Sequence, residues 1–290
     1  MKTNKALLYA IVAAICGASV PVLAKYALQI LQPFTLVSIR FLVASLTLLP
    51  FVWKDLNFRT FKNLLLPAFI GAFNPIILFI ALQYTKASVS PLIYASVPAM
   101  TAIYLVIAKK KQISFSQKMG ILVGFIGVVL IILFPALSAG QTSIVEVIKG
   151  NFLIFIAAIA FLSYGLISKQ RQEDTNATPT ALTFYFSAVT FVLSLPFALR
   201  EIPRINLQDI NILYILAAVG VGIVGTSLFY FAYQKALQIG SELSASLFTY
   251  LQPVFTVIFA ILILGEGITP IMIVGGAMAI IGSQLATENM

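Results

Sequence analysis

Apolar runs of roughly twenty residues alternate with short polar breaks ten times between Ala6 and Ala286. A run of about 20 apolar residues is the length needed to cross about 30 Å of hydrocarbon. Lipid offers no water to unpaired backbone groups, so such runs must be helices. The predicted spans are Ala6 to Leu28, Phe34 to Trp53, Leu64 to Gln83, Ser88 to Ala108 and Met119 to Leu137. They continue as Gly150 to Ser168, Pro179 to Leu199, Asn211 to Tyr233, Leu243 to Leu264 and Pro270 to Ala286. The fold class expected is an all-α integral membrane protein.

The breaks orient the chain. With the N-terminus in the cytoplasm, cytoplasmic breaks hold twelve of the 18 Lys and Arg, the outer breaks hold Lys25, Lys86, Lys149, Arg200 and Arg204, and Arg40 lies within the second span. Lys and Arg concentrate in cytoplasmic loops. An even number of spans then returns the C-terminus to the same side, giving a multi-pass protein of the cell (inner or plasma) membrane with both termini cytoplasmic. The apolar run after Lys5 reads as an uncleaved first span, because no small-x-small cleavage pattern closes it before Lys25.

The sequence also repeats itself. Ala81-Leu82-Gln83 recurs as Ala236-Leu237-Gln238, and the same shift of 155 carries Pro98 onto Pro253, Gly120 onto Gly275 and Ile126-Gly127 onto Ile281-Gly282. Ala13-Ala14-Ile15 maps onto Ala157-Ala158-Ile159 and Lys25 onto Lys169 at a shift of 144. Leu49-Pro50-Phe51 maps onto Leu195-Pro196-Phe197 at 146. Two halves, 1–140 and 141–290, each carry five spans. An odd number forces the halves to face opposite ways, an inverted repeat common in transporters, whose substrates bind near the midplane where the repeats meet.

Composition narrows the function. The chain is 60% hydrophobic and 9% charged, against roughly 25% charged for a soluble domain. Ten spans use about 200 positions and leave no room for a soluble domain. The net charge of +9 is accounted for by the cytoplasmic breaks, so nucleic acid is not an expected partner; lipid and a small-molecule substrate are. Cys16 is the sole cysteine and there is no histidine. No metal, cofactor or catalytic residue is expected. Membrane enzymes need a placed acid, base or nucleophile, and no Asp, Glu or His lies at mid-depth. Proton relays normally use such residues, so carboxylate-based proton coupling is not expected; Glu242 and Glu266, flanking the ninth span, are the exceptions to watch. No Gly-x-x-x-x-Gly-Lys motif provides for ATP-driven pumping, and no charged ring reads as a channel filter.

Candidate site residues come from kinks and polar positions. Pro98 and Pro253 lie about ten residues into their spans, and Asn74-Pro75 is near the middle of the third. Proline removes a donor and bends the helix, so these three prolines are candidate hinges; Gly220, Gly222 and Gly225 loosen the eighth span instead. Asn74 and Gln252 adjoin two of the prolines. Arg40 is either a carboxylate ligand, or a side chain that snorkels outward or pins neighbouring helix ends. Ser19, Tyr94, Ser96, Ser163, Tyr164, Tyr230, Thr249 and Tyr250 complete the cavity candidates, tyrosine suiting an amphipathic metabolite. Tyr233 lies close enough to a boundary to belong to an interfacial belt. Gly120/Gly124 and Gly275/Ala279 form small-xxx-small faces of the kind that pack helices.

Arg40-Phe41-Leu42, Ala81-Leu82 followed by Ala87-Ser88, Pro98, Ala236-Leu237, Gln252-Pro253-Val254-Phe255 and Leu264-Gly265-Glu266 together resemble the EamA family of the drug/metabolite transporter superfamily. The resemblance implies ten spans in two five-helix repeats, and export or exchange of small metabolites, amino acids among them, by alternating access. It assigns the small-residue faces of the fifth and tenth spans to scaffold or to a homodimer. The chain departs from the family pattern at Cys16-Gly17-Ala18, where members often carry Trp, and at Lys109-Lys110-Lys111, where the second repeat has Leu-Gly-Glu. The alternatives are a carrier of nucleotide sugars or phosphorylated metabolites, and a sensory or structural membrane protein.

Overall fold

A computed structural model describes residues 2–110, 112–133, 144–206, 208, 211–240, 245 and 248–287. The first half holds α1 (Lys2–Ala27), α2 (Pro33–Val52), α3 (Phe58–Ala81), α4 (Val89–Tyr94), α5 (Val97–Ala108) and α6 (Phe115–Leu133). The second holds α7 (Ile144–Thr175), α8 (Pro179–Glu201), α9 (Ile212–Gly222), a π-helical turn (Ile223–Leu228), α10 (Phe229–Ile239), α11 (Phe248–Leu264) and α12 (Pro270–Thr287). Among the described residues, nine helical segments are long and apolar enough to span a membrane, and α11 is a shorter apolar helix. The outward faces are apolar, with Leu46, Val192 and Leu262 all well exposed. The molecule is a multi-pass membrane protein of ten helical spans in two inverted five-helix repeats.

Equivalent residues make equivalent bonds at opposite ends. Call the end where α1 starts the near end, and the end where it finishes the far end. At the far end Lys25 Nζ donates to the carbonyls of Leu82 (2.9 Å) and Thr85. At the near end Lys169 Nζ donates to those of Leu237 (2.8 Å) and Gly240 (3.1 Å). These cations sit where C-terminal carbonyls of α3 and α10 would otherwise lack partners. Glu201, ending α8, accepts from Thr35 N (2.7 Å) and Oγ1 (3.0 Å) at the start of α2. Asp55, just past α2, accepts from Thr178 Oγ1 (3.0 Å) at the start of α8. Ala13, Ala14, Ala157 and Ala158 are all fully buried, while Ile15 and Ile159 are exposed at 45% and 43%.

Like helices of the two repeats pack together: α2 on α8 and α6 on α12. At the second contact a Cβ on Gly120 would lie 2.5 Å from Ala286 N, and one on Gly127 2.5 Å from Gly275 O. The small-residue faces of the fifth and tenth spans are therefore consumed within one chain, as scaffold.

Three elements differ from the hydropathy reading. The sixth span is a 32-residue helix, Ile144–Thr175, rather than Gly150 to Ser168. Hydropathy marks the hydrocarbon slab, but the helix continues into its polar flanks, where Lys169 and Glu173 pair at 3.4 Å. The fourth span is two helices. Pro98 lacks the N–H that would reach Tyr94 O, the helix stops at Tyr94, and Pro98 opens the first turn of α5. Ser96 Oγ donates to Ile93 O (2.7 Å) and Ser283 Oγ to Ala95 O (2.6 Å), satisfying carbonyls at the break. Helices α3 and α11 run on through Pro75 and Pro253. The predicted stretches 134–137 of the fifth span, and 243–244 and 246–247 of the ninth, lie outside the described residues.

The eighth span loosens at its glycines into the π turn. Gly222 lets the backbone meet Val43 and the Arg40 carbonyl, where a Cβ would come within 2.7 to 2.9 Å. At the far end Gly265, at φ +64°, turns the chain out of α11 and brings Glu266 over the start of α4. That carboxylate accepts from Ala87 N (2.7 Å), Ser88 N (3.0 Å) and Ser88 Oγ (2.6 Å).

Candidate substrate cavity

A cavity of about 40 Å³ lies at the centre of the bundle, where α1, α2, α3, α4, α7, α10 and α11 meet. Its wall holds Gly17, Val20, Pro21, Arg40, Asn74, Leu78, Ser90, Pro91, Tyr94, Phe161, Phe229, Tyr230, Phe248 and Gln252. Known ligand pockets run from about 300 Å³ upward, so in the state seen here this cavity is far smaller than a metabolite site. Gly17 makes room for the wall: a Cβ there would lie 3.0 Å from the Phe229 ring and 3.4 Å from Gln252 Nε2.

Arg40 is the charged side chain among the described lining residues. It is 2% exposed, so it does not snorkel outward. Nε donates to Thr226 Oγ1 (2.5 Å) and Nη2 to Gly225 O (2.9 Å), both in the π turn. The guanidinium carbon stands 5.0 Å from the Phe41 ring centre and 5.1 Å from that of Phe79, within cation–π range. The π turn explains the acceptors: a widened turn exposes backbone carbonyls, and Thr226 Oγ1 reaches back to Val221 O at 2.9 Å. Arg40 Nη1 has no partner. A buried charge without a counter-charge is costly, and among the described residues no carboxylate pairs with it.

Asn74 is the polar hub. Its Nδ2 donates to Tyr94 OH and to Ala157 O (2.9 Å), and its Oδ1 accepts from Tyr230 OH (3.1 Å). One amide thereby ties α3 to α4, α7 and α10. Gln252 Nε2 donates to Gly17 O (3.0 Å), while its Oε1 has no partner. Around these, Phe161, Phe229, Tyr230 and Phe248 form an aromatic wall, with Phe229 and Phe248 edge-on at 5.4 Å and Phe161 and Phe248 at 5.9 Å.

Of the sequence-derived candidates, Arg40, Asn74, Tyr94, Tyr230 and Gln252 come together on this wall. Tyr164 does not line it; its ring packs on Phe186 (4.8 Å) and Tyr230 (5.9 Å). Ser19, Ser96 and Ser163 bond carbonyls of their own helical turns, at Cys16, Ile93 and Ile159. Thr249 is buried outside the wall, and Tyr250 OH meets Thr287 Oγ1 at 3.3 Å, away from the centre. Pro253 borders an apolar groove between α11 and α12, while Pro75 and Pro98 are buried in their helices. Glu266 is a cap at the far end, and Glu242 lies outside the described residues. Gly17, Ser90, Phe161, Phe229 and Phe248 were not anticipated. Phenylalanine and glycine carry no signal in so apolar a chain, although the departure at Cys16-Gly17-Ala18 pointed at the right turn of α1.

The chain matches the EamA-like transporter family over residues 4–133 and 148–287. An uncharacterized transporter from Clostridium kluyveri is 28% identical over 262 residues, covering 87% of this chain and 83% of that one. The uncharacterized transporter YetK of Bacillus subtilis is 30% identical over 280 residues, covering 93% and 82%. A Rickettsia bellii protein named S-adenosylmethionine uptake transporter is 26% identical over 255 residues, covering 84% and 80%. One solved crystal structure shares the fold, with a TM-score of 0.70 at 18% identity over 98% of this chain and 99% of that one. With both halves matched and an inverted ten-helix repeat beneath them, the chain belongs to the EamA-like transporter family.

Proposed function

We propose that this transporter carries small zwitterionic metabolites, amino acids and related compounds, across the cell (inner or plasma) membrane by alternating access, and that both termini are cytoplasmic. The observation that carries this reading is the pairing of two unpartnered buried groups on one cavity wall: Arg40 Nη1, a cationic donor, and Gln252 Oε1, an acceptor. A carboxylate answers the first. An ammonium or other cationic centre answers the second, with the aromatic faces adding cation–π attraction. One guanidinium matches one carboxylate, whereas phosphorylated dianions call for more buried cations. The Rickettsia relative's named substrate carries a carboxylate, an ammonium and a sulfonium, which fits the same pattern. With no carboxylate at mid-depth among the described residues, net export follows the substrate gradient, as facilitation or exchange.

Counterflow in proteoliposomes tests this. Vesicles are preloaded with amino acids, S-adenosylmethionine and sugar phosphates, and the loss of each is followed by mass spectrometry. Saturable loss of zwitterions is expected, abolished by Arg40→Gln and weakened by Gln252→Ala. Selective loss of the sugar phosphates, or zwitterion flux indifferent to Arg40→Gln, overturns the reading.

A further inference from the structure

Among the described residues, six buried side-chain polar atoms make no well-aligned hydrogen bond, and four of them cluster outside the cavity, where the Tyr164 hydroxyl faces the Ser168 and Gln234 side chains. They are Tyr164 OH, Ser168 Oγ and Gln172 Oε1 on α7, and Gln234 Nε2 on α10. All four side chains are at most 7% exposed. Spacing of four residues puts Tyr164, Ser168 and Gln172 on one helix face, a polar file about 12 Å long. It begins beside Tyr230 on the cavity wall and runs to the near end. There Gln172 Nε2 donates to Gln234 Oε1 (2.7 Å), and the Lys169 clamp ties the same two helices.

The fold does not need this polarity. The repeat shifts place Val20, Ala24, Leu28 and Phe79 of the first half at the positions of Tyr164, Ser168, Gln172 and Gln234. The matching far-end positions of α1 and α3 thus carry apolar side chains. Buried polar groups so poorly aligned with one another disfavour the closed contact and are relieved by water. A seam that carries them, where the matching positions of the other repeat are apolar, is suited to being wet for part of a transport cycle.

We infer that Tyr164, Ser168, Gln172 and Gln234 line the near-end half of the substrate path, shut in the state seen here. Opening parts α7 from α10 and releases the Lys169 bonds to the Leu237 and Gly240 carbonyls. The four groups then take hydrogen bonds from water and from the polar groups of a passing zwitterion. This inference rests on the carrier reading above, because only a carrier must open both ends in turn.

Cysteine accessibility tests it in the full chain, reconstituted, with Cys16 replaced by Ser. Ser168→Cys is exposed to a membrane-impermeant methanethiosulfonate from each face in turn, with Ser90→Cys on the cavity wall as the far-end reporter. Labelling of Ser168→Cys from one face and of Ser90→Cys from the other is expected. The paired change Gln172→Leu with Gln234→Leu closes the seam with apolar groups, so Ser168→Cys labelling and flux both fall by about tenfold or more, while thermal stability is held or raised. Ser168→Cys that stays unreactive from both faces while Ser90→Cys reacts overturns the inference, as does unchanged flux in the Leu pair. One-sided labelling in a protein that moves no compound in counterflow refutes the carrier reading and leaves the opening of the seam standing.

Discussion

Replacing Asn74 by Leu, close in volume, removes the amide that joins four helices. Three hydrogen bonds go with it, from Tyr230 OH and to Tyr94 OH and Ala157 O. Such bonds between membrane helices are worth about 0.6 kcal/mol on average and about 1.7 at most. Loss of all three should therefore destabilise the protein by about 2 kcal/mol. Tyr230→Phe, which removes only the hydroxyl at 3.1 Å, should cost about 0.6 kcal/mol. The informative number is the coupling. In the double variant the Tyr230 hydroxyl has already lost its acceptor, so the two losses should fall short of additivity by about 0.6 kcal/mol, above the few tenths found for independent sites. Reversible denaturant unfolding in detergent, run on wild type, both single variants and the double, gives all four free energies. Strict additivity would refute the bridge from α3 to α10.

Elsewhere in the fold, Gly282→Val forces the backbone of Gly124 and the Gly120 carbonyl away from α12 and should lower stability by about 1–3 kcal/mol in the same unfolding assay. Lys25→Met and Lys169→Met each strip two carbonyls of a charged donor; losses of about 1.5–3 kcal/mol, similar in size, are expected, and a large loss for one with none for the other would contradict the two-fold equivalence. Glu201→Ala should cost about 1 kcal/mol as the loss of a helix-start acceptor, and Asp55→Ala less, because its bond to Thr178 is exposed. An imposed proton gradient without a potential should leave counterflow rates unchanged, since Asp55, Glu201 and Glu266 sit at helix ends as hydrogen-bond acceptors; acceleration would show a coupling carboxylate at work.

The spans were legible because lipid admits little besides helix. Their ends were not: a helix stops where its hydrogen bonds stop, and α7 carries on past Lys169 to Thr175. Pro98 was legible as a break because its missing donor falls in mid-span. Pro75 was not, since α3 absorbs it and runs on. Within the site, Arg40 and Asn74 stood out as rare polar residues in apolar helices. Ser19 and Ser163 stood out equally and proved to bond their own turns. Composition cannot say toward which neighbour a helix face turns, because packing decides that. The four-residue spacing of Tyr164, Ser168 and Gln172 was present in the sequence, but two of the three lay at or past the predicted end of the sixth span, where a polar residue needs no explanation.

Comparing the repeats position by position separates scaffold from site. Residues alike in both halves hold the bundle: Lys25 and Lys169 clamp carbonyls, Asp55 and Glu201 bond helix starts, and Gly120, Gly127, Gly275 and Gly282 let α6 meet α12. On the cavity wall the halves differ. The same shifts set Phe186 against Arg40, Phe229 against Asn74, Pro75 against Tyr230, Val97 against Gln252 and Phe161 against Gly17. A substrate bound near the two-fold axis meets both halves at once, so a wall identical in each would present like groups to unlike ends of a zwitterion. Under the zwitterion proposal, placing the cation on one repeat, and the free acceptor and most of the aromatic faces on the other, gives the two ends of the molecule different partners. The scaffold can keep the symmetry that lets two outward and inward states have similar free energies, while the wall must break it to read a polar substrate.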